Sequence, residues 1–285
     1  MVAMVVLVGG GTVAAVWGPQ LYQRHSYQLS PERCTVTWLD VDGADAVDNL
    51  TAEQVDNAAI IAAVGTSYGF DVRGVTVALA TAMQESALRN LDYGDRDSLG
   101  LFQQRPSQGW GTEEQVLDPR YASSMFYQAL ERVDGWQDMR LTEAAQAVQR
   151  SGFPEAYEKH KESAFAWATA LTGGGAGIDC HVEATPGSAV DLMDRIALDF
   201  GSGRYTAQVD QLSGSTTTLA VRAVDASVAS EAAIREWAIA TASTTGVTRV
   251  EFGGQVWRNG SGRSVVAVNA DSPTADAVLI TVEAP

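Results

Sequence analysis

The residue type best suited to chemistry in this chain is a single glutamate inside an apolar stretch. In Ala80-Thr81-Ala82-Met83-Gln84-Glu85-Ser86, Glu85 stands three residues after Ala82 and seven after Ala78. On a helix that spacing puts it on the apolar stripe. A lone carboxyl there loses hydration, its pKa rises, and it stays protonated near neutral pH. Those are the properties of a general acid that protonates a glycosidic leaving oxygen. The plainer alternative is a helix-end glutamate that reaches water or pairs with Arg89 at i,i+4 spacing. Downstream lie Asp92, Asp95 and Asp97, each a candidate second carboxylate for activating water or attacking the sugar. Equally, Asp92-Tyr93-Gly94-Asp95-Arg96-Asp97-Ser98 is turn chemistry, with aspartates bonding their own backbone or Arg96.

Two further runs follow in order: Ser98-Leu99-Gly100-Leu101-Phe102-Gln103-Gln104, then Ala145-Gln146-Ala147-Val148-Gln149-Arg150-Ser151-Gly152. The ordered set resembles the lysozyme-like superfamily, in its goose-type lysozyme and soluble lytic transglycosylase branch. There a Glu-Ser pair ends a helix, a Gly-Leu-Met-Gln run follows, and an Ala-Tyr-Asn-x-Gly run closes the site. Glu85-Ser86 matches the first motif, and Gly100-Leu101-Phe102-Gln103 matches the second with Phe102 in place of methionine. The third departs further: Val148 replaces tyrosine, Gln149 replaces asparagine, and one residue is added. The stretch from Ala78 to Tyr157 also looks like a group of secreted actinobacterial proteins with that fold, and the resemblance spans roughly residues 50 to 172.

The resemblance implies that Glu85 protonates the oxygen between MurNAc and GlcNAc in peptidoglycan, and that Ser86 orients Glu85 or a substrate acetamide. It also implies that Gly100 and Gln103 hold sugar, and that Gln149 contacts the reacting ring. Two outcomes then compete. A lysozyme needs one of the three aspartates; a lytic transglycosylase needs none, because the same glutamate later takes the proton of the sugar 6-hydroxyl. Trp110, in Gln108-Gly109-Trp110-Gly111, is the aromatic placed to stack on sugar, or else plain packing, and Phe126 is expected in the core. A third reading keeps the fold without cleavage, as a peptidoglycan-binding or envelope scaffold protein, and the altered third motif favours it.

Helical patterns surround these residues. Thr51 with Gln54 forms a capping-box signature before a stripe at Val55, Ala58, Ala59 and Ala62, with Gly69 ending that helix. Helices are expected over about 73–88, from Asp118-Pro119, and over 142–150 and 154–171, with a loop or tight hairpin between Asn90 and Leu117. Ahead of them come a strand-like stretch at Cys34 to Leu39 and an acidic turn at Asp40, Asp42 and Asp45. Punctuation at 172–187 precedes helices at 188–200 and 228–245 and strands at 216–224, 247–252, 255–258 and 276–283. The expected fold class is therefore α+β: an N-terminal all-α lysozyme-like domain over 34–180, followed by a small α/β domain of unknown role over 186–285. No catalytic or cofactor pattern stands out in the second part, where an envelope protein partner is the expectation.

Composition limits the partners. The 285 residues carry a formal charge of −16, which argues against nucleic acid. The three histidines are scattered and no C-x-x-C pair occurs, which argues against zinc. Residues 1–18 are uncharged and mostly apolar, the middle of a signal peptide or signal anchor without a basic start, so a leader and stalk are expected over 1–33. That predicts export to the cell envelope, with membrane contact only through this segment. Cys34 and Cys180 bracket the expected catalytic part, as a disulfide joining its ends would; two unrelated buried thiols are the alternative.

Overall fold

The computed structural model describes residues 32–39, 43–265 and 276–284. Residues 1–31 of the expected leader and stalk, and Asp40 and Asp42 of the acidic turn, lie outside the described residues, while Arg33 belongs to a strand. Among those described, no helix is long and apolar enough to cross a membrane.

The chain opens with a hairpin, β1 (Arg33–Leu39) and β2 (Asp45–Leu50), and continues into α1 (Ala52–Ser67) and α2 (Val72–Ser86). Thr51 and Gln54 make the reciprocal capping box, and Asp71 caps α2 by accepting from the amides of Arg73 and Gly74. After an irregular stretch come α3 (Glu113–Val116), α4 (Pro119–Glu131) and α5 (Leu141–Gln149). Asp118 caps α4, with Pro119 in its first turn, as Asp-Pro predicts. A 3-10 helix at Pro154–His160 leads into α6 (Lys161–Leu171), and β3 (Ile178–His181) returns to pair with β1. Then follow α7 (Ala189–Phe200), β4 (Tyr205–Ser213), β5 (Thr216–Ala223), α8 (Val228–Ala240), α9 (Ala242–Thr245), β6 (Val247–Phe252), β7 (Gln255–Arg258), β8 (Gly262–Val265) and β9 (Val278–Glu283).

The expected fold class is corrected here. The first part is not all-α: it carries a three-stranded sheet in the order β2-β1-β3. The second part is not α/β in the parallel sense, because its six strands, ordered β4-β5-β9-β6-β7-β8, all pair antiparallel. Asp45, read as part of an acidic turn, is the first residue of β2, whose Asp48 accepts from the Ser163 hydroxyl and, at 2.9 Å, from the Trp167 indole. Aspartate is poor in strands by propensity, and long-range donors override that preference. β4 escaped notice because its residues are mostly exposed and lack clean alternation, as befits a strand at the edge of its sheet.

Residues 32–285 form one compact unit. The helix α8 explains why. Its Ile234, Trp237, Ala238 and Ile239 are all buried, because the six-stranded sheet covers one side while α1 and α6 cover the other. A helix covered on opposite sides belongs inside a larger body. Cys34 and Cys180 face each other across β1 and β3 and are disulfide-bonded, closing a separation of 146 residues.

Candidate functional site

Glu85 occupies the last turn of α2, where the chain leaves the helix through two left-handed residues, Ala87 at φ 54° and Leu88 at φ 59°. Two amides of α1 hold that exit. Gln54 donates to the Ala87 carbonyl at 2.8 Å and Asn57 to the Leu88 carbonyl at 2.9 Å. Gln54 therefore both caps its own helix and fixes the end of the next. Ser86 is buried and donates to the Leu101 carbonyl at 2.7 Å, tying the helix end to the following loop.

That loop is a miniature hairpin, with Leu99 and Gln104 exchanging backbone hydrogen bonds at 3.0 Å. Gly100 sits at φ 74°, and a Cβ there would meet the Val116 carbonyl oxygen at 2.2 Å, so only glycine fits. Gly94 is equally constrained, since a Cβ would lie 2.0 Å from the Gln103 amide oxygen. Gln103 takes a left-handed backbone at φ 48° and donates to the Tyr93 and Gly100 carbonyls at 3.3 Å. Phe102 is buried and stacks on Phe126 at 4.7 Å, so the residue that departs from the second motif packs the core, as does Phe126.

Around Glu85 the third run and the 3-10 helix meet. The Tyr157 hydroxyl donates to Glu85 Oε1 at 2.8 Å. Gln149 reaches the same carboxyl and also donates to the Phe102 carbonyl at 2.7 Å. Glu85 is half-buried and makes no ion pair among the described residues; the alternative pairing with Arg89 does not form. Desolvation is the largest influence and pushes its pKa up, while hydrogen bonds from Tyr157 and Gln149 pull the other way. Next to it, Gln84 meets His160 Nε2 at 3.2 Å, and burial lowers the His160 pKa to about 4, leaving that ring neutral at ordinary pH.

Gln149 is also one wall of a groove of about 660 Å³ between the Gln108-Gly109-Trp110 loop, α4 and the end of α5. Trp110 lines the groove while packing partly against the core. Gly100, Gln103 and Ser86 do not line it. Among the aspartates, Asp97 is committed: Ser107, through its side chain and through its amide at 2.8 Å, and then Arg105 Nε at 2.7 Å hold its carboxyl far below the usual range. Asp95 is exposed with Arg96 at 3.9 Å, and Asp92 is exposed as well.

Tyr157 is the participant that local pattern did not mark. It lies in a stretch that reads as ordinary helix, 72 residues from its partner. The position where the resemblance expects a tyrosine is Val148, which lines the groove. Among the described residues, no group of three or more His, Cys, Asp or Glu is placed to hold a metal ion. No family model matches this chain, and no curated protein is detectably similar to it.

Proposed function

We propose that this chain cleaves the glycan strands of peptidoglycan, with Glu85 as its one catalytic carboxyl, as a lytic transglycosylase. The observation that carries this reading is the Glu85 environment. A desolvated carboxyl without a cation, oriented by Tyr157 and joined through Gln149 to an open groove, suits a proton donor more than a structural residue. In the step proposed, the Glu85 carboxyl gives its proton to the glycosidic oxygen between MurNAc and GlcNAc, and the bond from that oxygen to the MurNAc C1 breaks. The 6-hydroxyl oxygen of the same MurNAc then bonds to C1 and returns its proton to Glu85. A 1,6-anhydro end forms, and no water is consumed.

The commitment of Asp97 to Arg105 and Ser107 removes one of the three candidate second carboxylates that hydrolysis calls on, and leaves Asp92 and Asp95. The disulfide fits export to an oxidising envelope compartment. A non-catalytic wall-binding protein is the second reading, and Val148 at the tyrosine position of the third motif favours it. Mass spectrometry of purified peptidoglycan treated with the protein and with Glu85→Gln separates these. Anhydro-muropeptides made only by the unaltered protein are expected. Reducing-end products would instead assign a muramidase using Asp92 or Asp95, and no product from either protein would leave the binding reading.

A further inference from the structure

We propose that the groove walled by Gln149, which Glu85 itself does not line, selects glycans that carry a carboxylate, and that Arg132 and Arg150 are the residues that read it. The inference rests on the glycan-cleaving reading for the kind of chain in the groove, and on separate observations for its charge.

The chain has a formal charge of −16, and many of its arginines are spent on its own carboxylates, among them Arg105, Arg120, Arg140, Arg195 and Arg263. Arg132 and Arg150 differ. Both line the 660 Å³ groove, neither makes an ion pair among the described residues, and no aspartate or glutamate contributes to the groove wall. Two arginines without an ion pair among the described residues thus line one opening on an acidic protein. A guanidinium presents a planar fork of donors that matches a carboxylate.

The backbone supplies a second argument. Arg150 ends α5 in the left-handed region at φ 52°. Glycine or asparagine would hold that turn at lower cost, since a side chain with Cβ is strained there. An arginine kept in a costly conformation directly after Gln149, at the groove wall, has a use for its side chain. With Trp110 as a stacking face and Gln108 and Gln149 as hydroxyl partners, the lining suits a sugar chain bearing negative charge. In peptidoglycan that carboxylate has two sources, the lactyl group of a MurNAc without its peptide and the acids of an attached stem peptide.

The test uses binding, so it does not depend on turnover. Full-length Glu85→Gln protein is titrated calorimetrically with three oligosaccharides of equal length. One is a neutral GlcNAc oligomer, one a GlcNAc–MurNAc oligomer without peptides, and one the same oligomer with stems. Both charged ligands, or the stem-bearing one alone, are expected to bind about tenfold more tightly than the neutral chain at low salt. Tight binding of both assigns the lactyl carboxylate, and of the third alone assigns the stem. The preference should shrink as salt rises, which tests the unaltered groove without any change at either arginine. Arg132→Gln with Arg150→Gln should bind all three like the neutral chain. Equal binding of charged and neutral ligands, no binding of any, or a preference that survives the double substitution overturns the proposal. Cleavage by the unaltered protein is scored separately. Cleavage without charge preference leaves the catalytic reading standing and removes this one, and preference without cleavage does the reverse.

Discussion

Two regions of this molecule handle carboxylates in opposite ways. Where α7 and α8 meet the earlier helices, Asp199 is fully buried and saturated. Arg120 Nε donates to it at 2.6 Å, Arg195 Nε at 2.7 Å and the Trp237 indole at 2.9 Å. Arg195 continues to Asp56 on α1 at 3.1 Å. Nearby, Glu236 is also fully buried and accepts from the Ile178 amide and from Arg235 Nε, both at 2.7 Å, and from Arg263. Glu85 is less buried, yet it has one phenol, one amide and no cation. At the seam, charge is compensated and joins elements far apart in sequence. At Glu85 no cation among the described residues compensates the charge, and desolvation pushes its pKa up. The contrast separates carboxylates that hold this fold from the one proposed to react.

Asp199→Ala should produce the largest effect on stability. It leaves two guanidiniums and an indole N–H without their acceptor in a buried place, at a cost of about 3–5 kcal/mol. Urea unfolding measures this, and a loss below about 1 kcal/mol would show that the seam is no more than a surface ion pair. Tyr157→Phe should matter less to the fold and more to the pH profile. Loss of a hydrogen bond to the reacting carboxyl is expected to lower kcat/KM about tenfold. Because that bond lowers the Glu85 pKa, its removal should move the alkaline limb of the rate profile to higher pH. A uniform drop without movement of the limb would reduce Tyr157 to packing.

The smallest expected change is a gain. With its pKa raised in the fold, Glu85 binds its proton more tightly there than in the unfolded chain, whose value is near 4.5. Stability therefore falls as pH rises through the folded value, and stays lower at neutral pH. Glu85→Gln removes the charge and should melt higher than the unaltered protein at pH 7, with the gap closing below about pH 4.5. A melting point that drops at pH 7 would mean that the carboxylate is stabilising, and that the contrast with Asp199 is false.

Much of the site's scaffold was legible because its signals are local. The Thr51 and Gln54 cap, Asp118-Pro119, and the placement of Glu85 on the apolar side of its helix all follow from spacings within one or two turns. The hairpin around Gly100 was legible only as a loop or tight turn; the contact with Val116 that requires glycine belongs to the tertiary structure. β2 was not legible, because Asp45, Asp48 and Asn49 look like turn residues until Ser163 and Trp167 supply donors from α6. The pairing of Cys34 with Cys180 was inferred from their bracketing positions, and the strands β1 and β3 that carry them supply the reason they meet.

What the amino-acid order determined by itself is the set of helices, their caps, and a carboxyl on an apolar face. What only the tertiary structure decided is that carboxyl's company: Tyr157 rather than Arg89 beside it, Asp97 spent on Arg105, and Gln149 shared between Glu85 and the groove. Caps and periodicity depend on neighbours a few residues apart. The charge state of Glu85 depends on which groups are near in space and how much water remains, and both are set when residues dozens of positions apart are packed together.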